Sequence, residues 1–141
     1  MTDTLTSAER SERMSLIKSK GSSAEMTVRR LVHSLGYRYR LHARDLPGTP
    51  DLVFRARKKV IQVHGCFWHR HPRTVCPLAR LPKSRIEFWK EKLNGNRKRD
   101  RKNNRMLRNL GWRVLEIWEC ELSNAQRLQS KILYFLDDDL T

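Results

Sequence analysis

Two short apolar runs, Leu52-Val-Phe54 and Val60-Ile-Gln-Val63, flank the basic stretch Arg55-Ala-Arg-Lys-Lys59. Runs this short, rich in β-branched and aromatic side chains and broken by a polar tract, predict the two strands of an antiparallel hairpin. In such a pair the first residue of one strand and the last residue of the other lie side by side at the open end. Asp51 opens the first strand and His64 closes the second. The hairpin is therefore expected to set a carboxylate beside an imidazole.

The rest of the chain is read around that hairpin. Val28, Leu31, Val32 and Leu35 repeat at helical spacing and Gly36 follows as a C′ residue, which predicts an amphipathic helix over 22–36. Tyr37 to Leu41 alternates as a strand, and Leu46-Pro-Gly-Thr-Pro50 has turn chemistry. Residues 65–83 hold Pro72, Pro77 and Pro82 without periodicity, so a loop is expected there. Ser84-Arg-Ile-Glu87 reads as a capping box opening a helix to Leu110, with a kink or break at Asn94-Gly95 and a stop at Gly111. Trp112 to Trp118 reads as a buried strand, and Ser123 as the cap of a last helix through Leu128, Ile132 and Phe135. These elements predict an α/β fold, a central mixed sheet flanked by helices. An arm or short helix is expected over 1–20, and one domain over 21–141.

Thirty Lys and Arg against 15 Asp and Glu leave a formal charge of +15. A surface so basic calls for a polyanion. With no apolar run near the roughly 18 residues a spanning helix needs and no signal-like start, a cytoplasmic protein that binds nucleic acid is expected. Cys66, Cys76 and Cys120 are odd in number and lie among histidines, which favours a metal site over disulfides.

On the long helix, Trp89, Leu93, Asn96, Asp100, Asn103, Leu107 and Leu110 fall on one face. Asp100, the only acid between Lys92 and Arg108, thereby points inward, where a carboxylate needs either a salt bridge or a metal. The outer faces carry a dense set of cations, solvated or set against phosphates. Pro50-Asp51 has the form of the first half of a nuclease motif whose second half, acid-x-Lys, is replaced here by Gln62-Val-His64. Asp51, a strand-end backbone oxygen and waters suffice for Mg²⁺, and His64 or His69 could position or deprotonate a water. Cys66, Cys76 and Cys120 with a histidine suit a closed tetrahedral Zn²⁺ site, with His69 and His71 as alternatives for the fourth ligand, the other reading being three unlinked buried thiols. Phe67, Trp68 and Trp89 have two readings, core packing or a wedge between base pairs. Glu25 also has two, the capping box Ser22-Ser-Ala-Glu25 or a place facing the metal.

Leu46-Pro-Gly-Thr-Pro-Asp51, His64-Gly-Cys-Phe-Trp-His69, Arg85-Ile-Glu-Phe-Trp-Lys90, Arg99-Asp100, Leu110-Gly-Trp-Arg-Val-Leu115 and Trp118-Glu-Cys120 together closely resemble the very short patch repair (Vsr) DNA mismatch endonucleases, from about residue 8 to 123. The resemblance implies a restriction-endonuclease-like fold, a structural zinc, and Mg²⁺-dependent nicking of the thymine strand at T·G mismatches left by deamination of 5-methylcytosine. It implies Mg²⁺ on Asp51 and the carbonyl of Val63, His69 as general base, and His64 and Asp100 orienting the water, with Glu25 in a supporting catalytic role. It assigns Cys66, His71, Cys76 and Cys120 to zinc and Phe67, Trp68 and Trp89 to the wedge. Lys90, Asn96, Arg97, Lys98 and Arg99 are then the residues expected against the duplex. Arg70 interrupts what is often a His-rich stretch, the interval from His71 to Cys76 is longer than the family's familiar one, and Val63 stands where Thr is familiar. Such an enzyme would act as a monomer, near the nucleoid, with mismatch-repair proteins of the MutL type as partners. Two other readings are a homing or restriction-type nuclease of the same fold and a non-catalytic zinc-stapled nucleic-acid-binding protein.

Overall fold

The structure, a computed structural model, describes residues 23–67 and 84–137. The expected arm over 1–20 and most of the proline-containing loop lie outside these residues.

Helix α1 (Ser23–Ser34) buries Val28 and Val32 completely. It ends as the sequence predicts, with the Gly36 N–H donating to His33 O at 3.0 Å and the Tyr37 N–H to Val32 O at 3.3 Å. Strand β1 (Arg40–Leu41) is shorter than the run from Tyr37 suggests, because Tyr37 and Tyr39 turn onto the core instead of pairing. The hairpin forms from β2 (Leu52–Phe54) and β3 (Lys59–His64), in the register Leu52↔Ile61, Val53↔Val60 and Phe54↔Lys59. A 3-10 turn over Arg55–Arg57 joins them.

Strand β4 (Arg113–Trp118) runs parallel to β3, pairing Val60 with Val114 and His64 with Trp118. The sheet is therefore mixed, in the order β1-β2-β3-β4. Parallel neighbours need a long crossover, and here it contains α2 (Ile86–Asn109). Side-chain alternation divides the core between the two faces of the sheet. Leu52, Phe54, Ile61 and Ile117 pack with Val28 and Val32 of α1 and with Leu128, Ile132 and Leu136 of α3 (Ala125–Asp137). Val53 and Val60 pack with Leu107 of α2 on the other face.

Several expectations for α2 and α3 need correction. Ser84 does not cap α2: the N-cap is Arg85, in the left-handed region at φ 54°, without a side-chain cap bond. That places Ser84 one residue too early to reach the first turn. The helix runs unbroken through Asn94-Gly95. Its inward face is as expected at Leu93 and Leu107, but Leu110 lies past the last turn and is 56% exposed. Gly111, at φ 92°, makes the reversal there, and Trp112 N–H reaches back to Leu107 O at 3.0 Å. Asn124 rather than Ser123 caps α3, its Oδ1 accepting the Arg127 N–H at 3.1 Å. Ser123 Oγ is turned the other way and donates to Cys120 O.

The far end of α3 is held by the hairpin. Buried Lys59 donates from Nζ to Phe135 O at 2.7 Å and Leu136 O at 3.2 Å, and Arg57 Nη1 donates to Leu136 O at 2.8 Å. Cations are favourable at a helix C-terminus, where carbonyls lack intrahelical partners.

Candidate active site

The open end of the hairpin is fixed by the turn before it. At Gly48, φ is 76° and an added Cβ would stand 3.0 Å from Asn103 Cβ, so the turn packs directly on α2. Pro50 is fully buried. Asp51 follows, and its Oδ2 accepts the Val63 N–H at 2.8 Å. The carboxylate is thus pinned to the backbone of the strand end, while its side chain stays 23% exposed.

Beside it stands His42, a residue the sequence reading did not single out. Its backbone lies in the left-handed region at φ 48°, with its N–H on Asp51 O at 3.1 Å. Its Nε2 is 3.0 Å from Glu25 Oε2 and 3.8 Å from Asp51 Oδ1. Glu25 is 4% exposed and also takes the Arg29 guanidinium one turn along α1. Burial pushes the Glu25 carboxyl up, but hydrogen bonds and charge from His42 and Arg29 outweigh that and hold it below the ordinary glutamate range. One donor atom each from Glu25, His42 and Asp51 falls within 4.8 Å of the others. Glu25 therefore faces this cluster; its capping partner Ser22 lies outside the described residues.

His64 ends β3 at the same end of the sheet and is 4% exposed. Its ring lies 4.9 Å from that of Trp118, and its Nε2 is 3.4 Å from Glu116 Oε2 on β4. Glu116 Oε1 in turn accepts a hydrogen bond from buried Asn104 of α2. Neither Glu116 nor Asn104 was anticipated. The alternation along β4 could have placed Glu116 with Trp118, and the helical period could have placed Asn104 with Leu107. Asp100 sits on the same helix, half-buried as its spacing predicts.

Cys66 and Cys120, each just beyond the end of one parallel strand, come together: the Cys120 N–H donates to Cys66 Sγ at 3.4 Å. Phe67 and Trp89 meet edge to face at 5.6 Å, and Phe88 joins Trp89 at 5.3 Å with 44% of its own surface exposed. Around them stand cations, with Arg85 4.4 Å over the Phe88 ring and Lys92 5.9 Å from the Trp89 ring. Along α2, Lys90, Lys98 and Arg99 are exposed, while Asn96 and Arg97 are half-buried. Trp68, His69, His71 and Cys76 lie outside the described residues. Among the described residues no helix is long and apolar enough to cross a membrane.

The family model for DNA mismatch endonuclease Vsr matches residues 2–74. The chain is 47% identical over 137 residues to the type II nicking enzyme V.XorIIP of Xanthomonas oryzae pv. oryzae, covering 97% of this chain and 98% of that one. It is 41% identical over 124 residues to the type II nicking enzyme V.NmeAIP of Neisseria meningitidis serogroup A, covering 88% and 86%. Against the DNA mismatch endonuclease Vsr of Escherichia coli K12 it is 39% identical over 133 residues, covering 94% and 83%.

Proposed function

The chain belongs to the Vsr family of DNA mismatch endonucleases, and from that premise we propose that it nicks the thymine strand of duplex DNA beside a T·G mismatch, with Mg²⁺ as cofactor. The observation that carries this reading is the convergence of Asp51, Glu25 and His42 at the hairpin mouth, beside the cation-bearing helix α2. The donors suit a hard divalent ion, since two are carboxylates and Asp51 is open enough to be reached.

Asp51 and the backbone oxygen of Val63 would hold Mg²⁺, with Glu25 in support. The ion would supply charge neutralisation at the scissile phosphate and a more acidic water. His69 takes the proton of the attacking water as general base, and His64 and Asp100 orient that water. The placement of His64 supports its part: its imidazole is buried between Trp118 and Glu116, so its direction is set before substrate arrives. Phe67, Trp68 and Trp89 form the wedge that opens the base stack beside the mismatch. The ring contact between Phe67 and Trp89, ringed by Arg85 and Lys92, supports that role. Lys90, Asn96, Arg97, Lys98 and Arg99 meet the backbone of the duplex.

Cys66, His71, Cys76 and Cys120 would hold a structural Zn²⁺. The closeness of Cys66 to Cys120 supports the site, and the N–H bond to sulfur is one that a metal-bound thiolate accepts well. A single domain over 21–141, action as a monomer on an asymmetric target, a cytoplasmic, nucleoid-associated setting and MutL-type partners belong to the same reading. The test is cleavage of labelled duplexes that differ only in T·G or T·A at one position, with Mg²⁺ or with EDTA. Nicking of the mismatched thymine strand with Mg²⁺, and none with EDTA, is expected. Equal cutting of both duplexes would favour a restriction-type activity, and tight binding without cutting a binding module.

A further inference from the structure

Three donors from three separate segments meet at the hairpin mouth: Glu25 from α1, His42 from the irregular stretch after β1, and Asp51 from the start of β2. His42 Nε2 is 3.0 Å from one carboxylate oxygen and 3.8 Å from the other. Ligands about 2.1 Å from an octahedral cation stand about 3.0 Å apart when adjacent and about 4.2 Å apart when opposite. The 3.0 Å spacing matches adjacent positions and the 3.8 Å spacing lies between the two values, so the donors can close on one ion with shifts of less than about 1 Å.

The backbone of His42 adds a second observation. Its left-handed conformation is held by the hydrogen bond from its own N–H to Asp51 O. Such conformations persist where the surroundings over-determine them, and they gather at ligand clamps and active sites. Here the effect is to aim an imidazole at two carboxylates. Nε2 is within hydrogen-bond distance of Glu25 Oε2, while Asp51 Oδ1 stands just beyond it. In the Nδ1–H tautomer Nε2 carries a lone pair within 4.8 Å of both carboxylate oxygens, and a cation bound to all three would favour that tautomer.

We infer that His42 is a nitrogen ligand of the catalytic cation, and that it lets this chain take Mn²⁺ in preference to Mg²⁺. Mg²⁺ favours oxygen donors and parts reluctantly with its waters, whereas an imidazole in the set favours first-row transition ions. The inference rests on the proposed role of Asp51 as a ligand, and it goes beyond that role in naming His42 and the class of ion.

The test uses the full chain and Mn²⁺ itself, with binding followed by calorimetry and by pulsed electron paramagnetic resonance. Mn²⁺ is expected to bind about tenfold more tightly than Mg²⁺, and to show coupling to a ¹⁴N nucleus. His42→Gln places an amide near the Nε2 position and can still hydrogen-bond Glu25. It is expected to lose the ¹⁴N coupling and to bring the two affinities within about threefold of each other. His42→Asn serves as the second variant where Gln disturbs the fold, judged by circular dichroism. A ¹⁴N coupling and a Mn²⁺ preference that survive in a folded His42 variant would overturn the inference. Asp51→Asn separates the two levels. If it leaves Mn²⁺ binding intact, the reading of Asp51 fails and the inference with it. If it removes binding while His42→Gln changes nothing, only the role of His42 fails.

Discussion

Asp51→Asn should move stability and activity in opposite directions, and the structure says by how much. The donor oxygens of Glu25 and Asp51 lie within 4.8 Å of each other. At an effective dielectric of about 20, two such charges repel by about 3 kcal/mol, a penalty that His42 and Arg29 offset in part. Asparagine removes the repulsion and keeps an oxygen for the Val63 N–H, now in a neutral hydrogen bond weaker by about 1 kcal/mol. The net change in the metal-free chain is small and on the stabilising side, about 1 kcal/mol or less, which for a chain of 141 residues raises Tm by up to about 3 °C. Activity has no such compensation. Losing the charge that would hold the cation should slow nicking by about 10² to 10³, or roughly 3–4 kcal/mol of barrier. The assays are a thermal melt of the zinc-loaded chain without added Mg²⁺ and single-turnover nicking of a T·G duplex with enzyme in excess. A Tm lower by more than about 6 °C would mean that the carboxylate is structural. Nicking within about tenfold of wild type would mean that it is not a ligand.

Four further outcomes are expected. Because the native Glu25 carboxyl lies below its ordinary 4.5, its contribution to stability is present above that pH and lost as pH falls through the lower native value; Glu25→Gln should flatten this acid limb in urea melts from about pH 7 to about pH 3, and an unchanged limb would refute the assignment. Asn104→Ala should cost about 1–2 kcal/mol by removing the buried amide that donates to Glu116 Oε1, whereas Asn104→Leu with Glu116→Leu should cost less than the two single changes summed; strict additivity in denaturant melts would sink the pairing. Lys98→Ala should lower the slope of log affinity against log salt by about one, and an unchanged slope would remove this exposed lysine from the DNA contact. Chelation should lower Tm, since a zinc joining Cys66 to Cys120 would close a loop across 54 positions, worth about 4 kcal/mol by chain entropy; a chelated sample that melts as before would show that no such cross-link exists.

The parts of the fold that were legible in the sequence are those written in local periodicity. The hairpin followed from two apolar runs, the end of α1 from Gly36, and the inward placing of Leu93 and Leu107 from helical spacing. Parts that depend on a neighbour from elsewhere in the chain were not legible. His42 belongs to no periodic element, and its partners, Glu25 and Asp51, stand 17 positions before it and 9 after it. Asn104 is a buried polar residue whose place makes sense only once α2 lies on the sheet and its amide meets half-buried Glu116. The capping errors have a similar origin. Ser84 and Ser123 have the right side chain, but the backbone at Arg85 and the amide of Asn124 decide where each helix starts. The resemblance in the motif blocks supplied the family, and the spacing of residues alone could not have done so.

The parallel pairing of β3 with β4 also bears on how such enzymes diversify. Asp51 and His64 lie on one local hairpin, whereas α2 is carried inside the excursion between two adjacent strands. Lengthening such an excursion is inexpensive, since each doubling adds only about 0.6 kcal/mol of closure entropy. Target preference can therefore drift through the exposed face of α2, which carries Lys90, Lys98 and Arg99, while its inward residues Leu107 and Asn104 keep their contacts with the sheet. That exposed face, rather than the whole segment, is the natural surface to vary when a new nicking specificity is sought.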